Sequence, residues 1–517
     1  MKNRLKVFNT EGDMTIKSPQ EDTHIKGSQV TGENVTLEAK KNIAISAAEN
    51  SNTTKENTRS SGASIGASLG VGGLQGVSAS YGKASDHVKE NETAYEKSRV
   101  TANKDLIFSS VKNTTITGSE MAGGKVTGYV GGNLSIKTKQ DEKTYEEKNS
   151  STGLSVNYGM KKGKTSVSGG ISKDNIHSNY ESAIDQAGIR AGEEGFDISV
   201  KENTDLKGGV IDSAASKDKN TLTTSTLSWE DKENKADYKA GGMGVSYSPN
   251  NKSSKLNRRG LTPNLTPTVK DKTDSTTKSV VAEGTIYITN KEKQKQDIAS
   301  LNRDTKNSLN QLQEIFDKTK VEEKQELLGM LEKYGNQAIH TYAESKGWKD
   351  GSTEKMLLHG AFGALMGDMA GGSVPAIAFA GGATEYVMGY LTKEKGEDWV
   401  QKHPDTVQWI AAGVGTGLDS IADGASFGAD IAVNSVKWNL EFSEPIHEMS
   451  DKIWEILSEE DKEKLQKSIE SNSVTYGNSI LAKYTIRYYP QMVKKRGISI
   501  CYTPLCMMQY YLFFAYT

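Results

Sequence analysis

The sequence is poor in cysteine, proline and apolar residues. Its two cysteines, Cys501 and Cys506, both lie close to the C-terminal end, so the long chain before them contains no thiol that could form a disulfide. Over 517 residues there are only 9 prolines, and 35% of the residues are apolar, which is low for a globular protein. The chain therefore either folds as a thin structure with a narrow core or is partly disordered.

An excess of one charge and long apolar runs are missing as well. The 64 basic residues nearly balance the 66 acidic ones, for a net charge of -2, which gives no electrostatic preference for nucleic acid or an anionic membrane. Residues 1–18 contain basic side chains but lack the apolar stretch of a signal peptide, and no run of about 18 apolar residues occurs anywhere. We expect neither an export signal nor a membrane anchor in this sequence.

What the sequence does contain is a phrase that occurs three times, as "DTHIKGSQVTG" at 22–32, "NTTITGSEMAG" at 113–123 and "NTDLKGGVIDS" at 203–213. The central apolar residues are 91 and 90 residues apart, and each is followed by glycine two positions later: Ile25 and Gly27, Ile116 and Gly118, Leu206 and Gly208. A second phrase repeats every 91 residues around three other glycines: Gly62, Gly153 and Gly244. Residues 12–250 are therefore an array of repeats of about 91 residues, two complete and one partial.

Within each repeat, apolar and polar residues alternate in short bursts such as "VTLEA" at 35–39 and "LSIKT" at 134–138, which is typical of strands with one buried face. The predicted strand centres follow one another at steps of roughly 8 to 12 residues: Ile16, Ile25, Leu37 and Ile45 in the first repeat, and Ile107, Ile116, Val126 and Ile136 in the second. Such short strands can bury a face by stacking as successive coils. The pattern predicts a mainly β chain with a parallel β-solenoid, an antiparallel sandwich being the alternative, and the Gly/Ser-rich stretch at 60–82 is expected to form a projecting hairpin.

The repeat pattern stops after residue 250, and four further regions follow. We predict a linker at 251–295, amphipathic helices at 296–348 with an apolar stripe from Ile298 to Phe316, a Gly/Ala-rich helical module at 349–440, and a short C-terminal segment at 441–517. In the helical module, one residue type recurs every four positions, which lets two helices approach closely: Gly363, Gly367 and Gly371. The acidic residues within it favour packed helices over membrane spans, although a pore remains an alternative.

Catalytic and cofactor sites are not indicated by any motif. The sequence "GMKKGKTS" at 159–166 has one residue fewer between its glycines than a phosphate-binding loop requires. The seven histidines include no His-x-x-x-His pair, so we expect no metal. His359, at the start of the helical module, is expected to cap or pack. We therefore predict no cofactor and name no catalytic residue.

The repeated phrases resemble a known family. "GGNLSIKTKQDEKTYEEKNSS" at 131–151 and the long stretch from "AGIRAGEEGFDISVKENTDLKGG" at 187–209 onwards are similar to the haemagglutinin repeats of filamentous haemagglutinin and of contact-dependent growth-inhibition (CdiA-like) exoproteins. The resemblance covers about residues 12–248. Residues 350–440 resemble the pretoxin region of these exoproteins, with "AVNSVKWN" at 432–439 in place of the usual Val-Glu-Asn-Asn junction.

This resemblance implies a right-handed parallel β-helix followed by helices. It also implies export through an outer-membrane transporter of two-partner secretion, display at the bacterial cell surface, adhesion to a target-cell receptor, and delivery of a C-terminal toxin against which an immunity protein protects the producer. The chain resembles the distal part of such exoproteins, so we expect it to be a fragment, with a truncated segment at 441–517. We expect a structural rather than an enzymatic protein, and a nuclease-like toxin in the C-terminal segment is the alternative.

Overall fold

A computed structural model describes residues 6–9, 11–70, 73–160, 164–250, 255–372, 374–419 and 427–439. The predictions for the segment 441–517 and for Cys501 and Cys506 concern residues outside these ranges. The strands are β1 Lys6–Asn9, β2 Met14–Ser18, β3 Thr23–Lys26, β4 Ser28–Gly32, β5 Val35–Ala39, β6 Ile43–Ser46, β7 Ala48–Gly70, β8 Gly73–Glu96, β9 Arg99–Ser110, β10 Thr114–Thr117, β11 Glu120–Val130, β12 Leu134–Lys137, β13 Asp141–Gly159, β14 Lys164–Ser182, β15 Gly188–Lys207, β16 Val210–Ser213, β17 Thr221–Glu230, β18 Lys232–Ser248, β19 Gly260–Thr277, β20 Val280–Val281 and β21 Thr285–Ile288.

Fifteen of these strands form one parallel sheet that coils into a nearly closed solenoid with three faces. The first face stacks β1, β4, β9, β11, β15, β16 and β20 in that order, and the second stacks β2, β5, β9, β11, β15, β17 and β21. The third face stacks β3, β6, β10, β12, β15 and β17. The longer strands bend around a corner and contribute to two or three faces. The prediction of a parallel β-solenoid followed by helices is confirmed.

The 91-residue period corresponds to two solenoid coils plus one hairpin. Coils β1–β3 and β4–β6 are followed by the hairpin β7/β8, and the next two coils, β9–β10 and β11–β12, by the hairpin β13/β14. The coils β15 and β16–β17 precede the third hairpin, β18/β19. The chain thus leaves the solenoid after every second coil and returns to it.

The glycines of the repeated phrase lie at the corner between the third face and the first face of the next coil. Gly27, Gly118 and Gly208 have φ values of 55°, 56° and 58°, in the left-handed region that other L-residues rarely adopt. A Cβ on Gly27 would lie 2.6 Å from Cβ of Ala48, and one on Gly118 would lie 2.9 Å from Cγ of Lys139. These corners therefore need glycine both for their backbone conformation and for contact with the segment that leaves the solenoid as a hairpin.

Inside the solenoid, residues at equivalent positions of successive coils lie directly above one another. On the second face the sheet register stacks Leu37, Phe108, Gly128, Ile198 and Leu222. The four larger side chains are completely buried. The ring of Phe108 occupies the space above Gly128, so a large residue in one coil is accommodated by a small one in the next.

Ile25, Ile116 and Leu206 are buried in the same core, but Ile107 is not. Contrary to the prediction that Ile107 is an inward-facing strand centre, its side chain is 43% exposed, whereas its neighbours Leu106 and Phe108 are fully buried. Three consecutive apolar residues fit a period of two in either register, and here the two outer ones face the core.

A ladder of asparagines reinforces the turn between the second and third faces. The backbone N–H of Asn113 donates to Oδ1 of Asn42 at 3.1 Å, that of Asn133 to Asn113 at 2.8 Å, and that of Asn203 to Asn133 at 3.0 Å. The hydroxyl of Thr226 donates to Oδ1 of Asn203 at 2.8 Å. The side chains of Asn42, Asn113 and Asn133 therefore each accept a turn N–H of the next coil, and that of Asn203 accepts a hydroxyl, as expected for stacked polar ladders.

The three hairpins lie side by side and form a second, antiparallel sheet in the order β19-β18-β14-β13-β8-β7. We call it the hairpin sheet. The Gly/Ser-rich stretch at 60–82 is part of β7 and β8, as the expected hairpin. Gly62, Gly153 and Gly244 lie within strands of this sheet rather than in the solenoid, and a Cβ on Gly62 or Gly153 would contact nothing within 4 Å.

The predicted linker at 251–295 is wrong over most of its described length. Strand β19 pairs with β18 at the edge of the hairpin sheet, and β20 and β21 add a further coil to the solenoid. Its polar, proline-containing sequence suggested a loop, but an edge strand tolerates proline because one row of its N–H groups has no ladder partner. Pro263 and Pro267 both lie in β19.

The helices are α1 Lys318–Ser345, α2 Thr353–Ala370, α3 Val374–Lys395, α4 Glu397–Lys402, α5 Pro404–Asp419 and α6 Phe427–Asn439. The predicted helix on the stripe from Ile298 to Phe316 is wrong, because only a single turn forms, at Ile298–Ser300. The remaining residues before α1 form no further helix and include a bend and turn at 305–307. Leu301 packs in the solenoid core, and the N–H of Leu312 donates to Oγ of Ser182 at 2.9 Å, so burial against the sheets outweighs the helical periodicity.

Candidate functional site

The hairpin sheet and the helices meet at a junction with an apolar core. One apolar cluster joins them, with residues of the sheet and of four helices: Ile176, Tyr238, Ala240 and Val269 from the sheet, and Val321, Leu328, Phe362, Met366, Ile377 and Ile431 from α1, α2, α3 and α6. The alternation of these strands places one face of the hairpin sheet against α1. The helices are therefore docked on the repeat region through a continuous core.

The start of α1 is anchored to the hairpin sheet by a partly buried ion pair. Nζ of Lys318 lies 2.7 Å from Oε2 of Glu147, a carboxylate that also accepts from the hydroxyl of Tyr145. Burial opposes ionisation of Glu147, but the hydrogen bonds from Lys318 and Tyr145 lower its pKa below the usual value. Phe316 packs on Tyr145 with the ring centroids 5.0 Å apart. This contact fixes the start of α1 on the hairpin sheet.

Two of the three glycines predicted to allow close helix packing do lie between α2 and α3. A Cβ on Gly363 would lie 2.6 Å from the carbonyl oxygen of Ile377, and one on Gly367 would lie 2.8 Å from its Cδ1. Gly371 has a different position, because it ends α2 with φ at 78° and lies against the carbonyl oxygen of Lys270 in β19. It is a helix-ending glycine at the contact with the hairpin sheet.

A buried lysine links α2 to α3 and to the turn before α2. Nζ of Lys355 lies 2.5 Å from Oδ1 of Asp350 and 3.3 Å from Oε1 of Glu385, and Nε2 of His359 lies 3.4 Å from the other oxygen of Glu385. Burial opposes the charge on Lys355, but the two carboxylates raise its pKa, and burial also raises the pKa of Glu385. Burial and the nearby Lys355 lower the pKa of His359 to about 3, so this imidazole is neutral at physiological pH.

Lys355, His359 and Glu385 are 2%, 1% and 2% exposed, respectively. A substrate could not reach them without moving the helices, so the group cross-links α2 and α3 rather than forming an open catalytic site. His359 lies inside α2, beyond its first turn.

A second buried group joins α1 to α6 and was not found from the sequence. Nδ2 of Asn434 donates to Oε2 of Glu332 at 2.6 Å and to Oδ1 of Asp430 at 3.0 Å. Both carboxyl groups are buried, and they interact with each other. Burial raises the pKa of Asp430 to about 7, and burial together with the negative charge of Asp430 raises that of Glu332 well above its usual range. Burial therefore favours the protonated form of this pair at the α1–α6 contact.

The carboxyl pair also faces the hairpin sheet. A cavity of about 10 Å³, room for about one water molecule, is lined by Glu332, Asp430, Ile377 and residues of β19 that include Thr268. The backbone N–H of Thr268 is hydrogen-bonded to Asp430. Three parts of the fold, namely α1, α6 and β19, thus meet at one protonatable group. We call Glu332, Asp430 and Asn434 the carboxyl cluster.

Within the described ranges, no group of three or more His, Cys, Asp or Glu side chains is arranged to hold a metal ion. Among the described helices, none is both long enough and apolar enough to cross a membrane.

Comparison with known proteins finds a family match for part of the repeat region. Residues 6–152 match the family model described as "Hemagglutinin repeat". The chain is 31% identical over 484 residues to "Toxin CdiA" of Escherichia coli, covering 83% of this chain and 15% of the relative. It is 35% identical over 306 residues to "tRNA nuclease CdiA" of Yersinia mollaretii, covering 58% of this chain and 10% of the relative.

A third relative, "Deoxyribonuclease CdiA" of Dickeya dadantii, is 33% identical over 345 residues, which cover 64% of this chain and 10% of the relative. The chain thus spans no more than 15% of the length of these three relatives. No solved structure matches the chain.

Proposed function

We propose that this chain, which contains haemagglutinin repeats and is similar to proteins named CdiA, is the distal part of a surface exoprotein that acts in adhesion and in contact-dependent delivery of a C-terminal toxin to neighbouring bacteria. The repeat region serves as the stalk. The helices α1 to α6 hold the segment that follows residue 439 on this stalk.

The observation that carries this proposal is the docking of the helical module on the hairpin sheet. Helix α6 is the last described element before the toxin position, and it is held by Asp430 and Asn434 to Glu332 of α1 and by Asp430 to Thr268 of β19. Its Ile431 belongs to the same apolar core as Val269 of the sheet. A helix attached in this way is fixed to the stalk up to the end of α6.

The partners follow from this role. We propose that the intact exoprotein leaves the cell through an outer-membrane transporter of two-partner secretion, contacts a receptor on the target cell, and is neutralised in the producer by an immunity protein. Its place of action is the bacterial cell surface or the medium. The similarity to proteins named CdiA supports these partners as a class.

The test is a competition between strains. A producer that exports this chain as part of its exoprotein is mixed with a target that lacks the gene immediately downstream of the chain. We expect the number of viable targets to fall on a solid surface, and to stay constant when a filter separates the strains. Equal survival of targets with and without the downstream gene would contradict the proposal.

A second candidate function is an enzymatic toxin in residues 441–517, favoured by the relatives named as a tRNA nuclease and a deoxyribonuclease. The complete chain and a chain that ends at residue 439 are expressed in a bacterial cytoplasm. Growth arrest by the complete chain alone, relieved by the downstream gene product, would support it. Normal growth with both chains would leave adhesion as the function to test.

A further inference from the structure

The part of the hairpin sheet away from the solenoid has two chemically different faces. Directly opposite one another across all six strands lie Ala63, Tyr81, Leu154, Gly169, Tyr247 and Leu261. The next row away from the solenoid on this face consists of Ile65, Ala79, Val156 and Val167. We call this side, with the flanking apolar residues of the same strands, the apolar face.

The adjacent row, which points to the other side, contains a serine in each of four neighbouring strands: Ser64, Ser80, Ser155 and Ser168. Because successive residues of a strand point to opposite faces, every strand here alternates apolar with small polar residues. Nearer the solenoid, the apolar residues lie on the other side of the sheet. Ile176 and Ala240 are on the same side as the serines, and they pack against the helices. Among the described residues, the helices therefore leave the apolar face exposed except at its edge, where Nε1 of Trp409 donates to the carbonyl oxygen of Leu261.

This face is exposed to a degree that is unusual for such residues. Ile65 is 89% exposed, Ile171 56%, Tyr81 52% and Leu154 51%. With strands about 4.8 Å apart and successive residues of one face about 6.6 Å apart, each residue occupies about 32 Å². The ten residues of the two rows therefore cover about 320 Å², and about nine flanking apolar residues, among them Val77, Tyr158 and Ile171, bring the face to about 600 Å². A monomeric protein rarely leaves a larger contiguous apolar patch than this in water.

We propose that the apolar face packs against the same face of a second copy of this chain. Two copies would bury about 1,200 Å², which reaches the lower limit of stable, specific interfaces. The two rows described above contain no Asp, Glu, Lys, Arg or His, so placing them on themselves brings no like charges together. A charge enters only in the next row towards the solenoid, where Lys83 lies in line with Thr152 and Ile171. Each row mixes large and small residues, as in Ala63, Tyr81, Leu154 and Gly169, so two such faces can interdigitate like the layers of a β-sandwich.

A pairing of identical surfaces about a twofold axis forms a closed dimer. Two stalks would then be joined through their hairpins, and the helical modules would remain on the opposite, serine-bearing sides. The proposal concerns assembly, and its outcome is independent of whether the chain delivers a toxin.

The test compares neighbouring residues of one strand that point to opposite faces. Leu154→Glu places a charge on the apolar face, and the control Ser155→Glu places the same charge on the serine face. The mass of the complete protein is measured by sedimentation over a range of concentrations. We expect a dimer for the unchanged protein and for Ser155→Glu, and at least about 100-fold weaker association for Leu154→Glu, because two charges would be buried without partners.

Thermal unfolding and far-ultraviolet circular dichroism establish whether the variants fold, and Ile171→Glu with Ser172→Glu as its control repeats the comparison on β14. The proposal would be overturned by an unchanged protein that stays monomeric, or by dimers that both substitutions at 154 and 155 weaken equally. Dimers that form only when the chain ends at residue 439 would also overturn it, since the C-terminal segment would then cover the face. Binding of a monomeric protein to phosphatidylcholine vesicles, abolished by Leu154→Glu, would identify lipid as the occupant instead.

Discussion

The stacking of Phe108 on Gly128 makes a quantitative prediction about the solenoid core. The two residues are register partners in β9 and β11, and a Cβ on Gly128 would lie 2.7 Å and 2.9 Å from Cε1 and Cε2 of the ring, and in contact with Cζ. The ring is fully buried and cannot swing away without displacing other core side chains. Overpacking of this kind costs about 1–3 kcal/mol, and replacing a strand glycine by alanine returns about 0.5–1 kcal/mol of backbone entropy. We expect Gly128→Ala to lower the free energy of unfolding by about 1–2 kcal/mol.

A double-mutant cycle with Phe108→Leu separates this clash from other effects. Once the ring is removed, the added methyl group has room, so Gly128→Ala should cost little in the Phe108→Leu background. The entropy gain is the same in both backgrounds, so the coupling free energy should equal the overpacking cost of about 1–3 kcal/mol, within the range for residues in contact. The free energy of unfolding of all four proteins is measured by urea unfolding followed by circular dichroism. Gly62→Ala is the control, because its new methyl group would contact nothing within 4 Å. A Gly128→Ala variant as stable as Gly62→Ala, or additive free energies in the cycle, would refute the reasoning.

Further predictions concern the corners and the helical module. Gly118→Ala should lower the free energy of unfolding by at least about 1–2 kcal/mol, because φ is 56°, whereas Gly153→Ala, without a positive φ, should not; equal urea midpoints would contradict this. The raised pKa values of Glu332 and Asp430 mean that the folded state binds protons more tightly than the unfolded chain. The stability that these two groups contribute is complete below about pH 4 and is lost as the pH rises through about 7. Asp430→Asn should therefore flatten the fall in stability between these pH values. A pH profile of the melting temperature that Asp430→Asn leaves unchanged would exclude the carboxyl cluster as the cause of that fall. Lys355→Met should destabilise the helices by about 3–5 kcal/mol, because it leaves a buried carboxylate unpaired; a loss below about 1 kcal/mol in thermal unfolding would show that the ion pair is dispensable.

The solenoid was predictable from the sequence because its determinants are local and repeated. Alternation of apolar residues sets the strands, and the glycine of the repeated phrase sets a corner with positive φ, as at Gly27. Ile107 was misassigned because "LIF" fits the strand period in two registers, and only stacking on neighbouring coils decides between them. Handedness was inferred from family resemblance and stays a prediction.

The errors beyond residue 250 have a common cause, which is burial against distant parts of the chain. Strand β19 is polar and contains Pro263, but it gains a full ladder with β18 that no local signal announces. The stripe that includes Leu301 and Leu312 has helical spacing, yet the structure uses it to cover the sheets. Tertiary contacts override local preference in both cases.

The carboxyl cluster could not be assigned from sequence, because Glu332 and Asp430 come from helices that are distant along the chain. A partial signal was present: Asp430 and Asn434 are polar residues four positions apart in the otherwise apolar start of α6, so they share one helix face. Polar residues at that spacing on a buried helix require a partner. Which carboxylate supplies it depends on the docking of α1.

The most direct test of the account is whether hairpins from successive 91-residue units lie side by side in one sheet. Lys83 of the first hairpin is the register partner of Thr152 of the second. In a chain with Cys501→Ser and Cys506→Ser, the pair Lys83→Cys and Thr152→Cys should form a disulfide under mild oxidation, because opposite residues of neighbouring strands lie within disulfide reach. Lys83→Cys with Ser151→Cys, whose side chains point to opposite faces, should remain reduced. Selective cross-linking of the first pair is the predicted result, and absent or equal cross-linking of the two pairs would contradict the architecture.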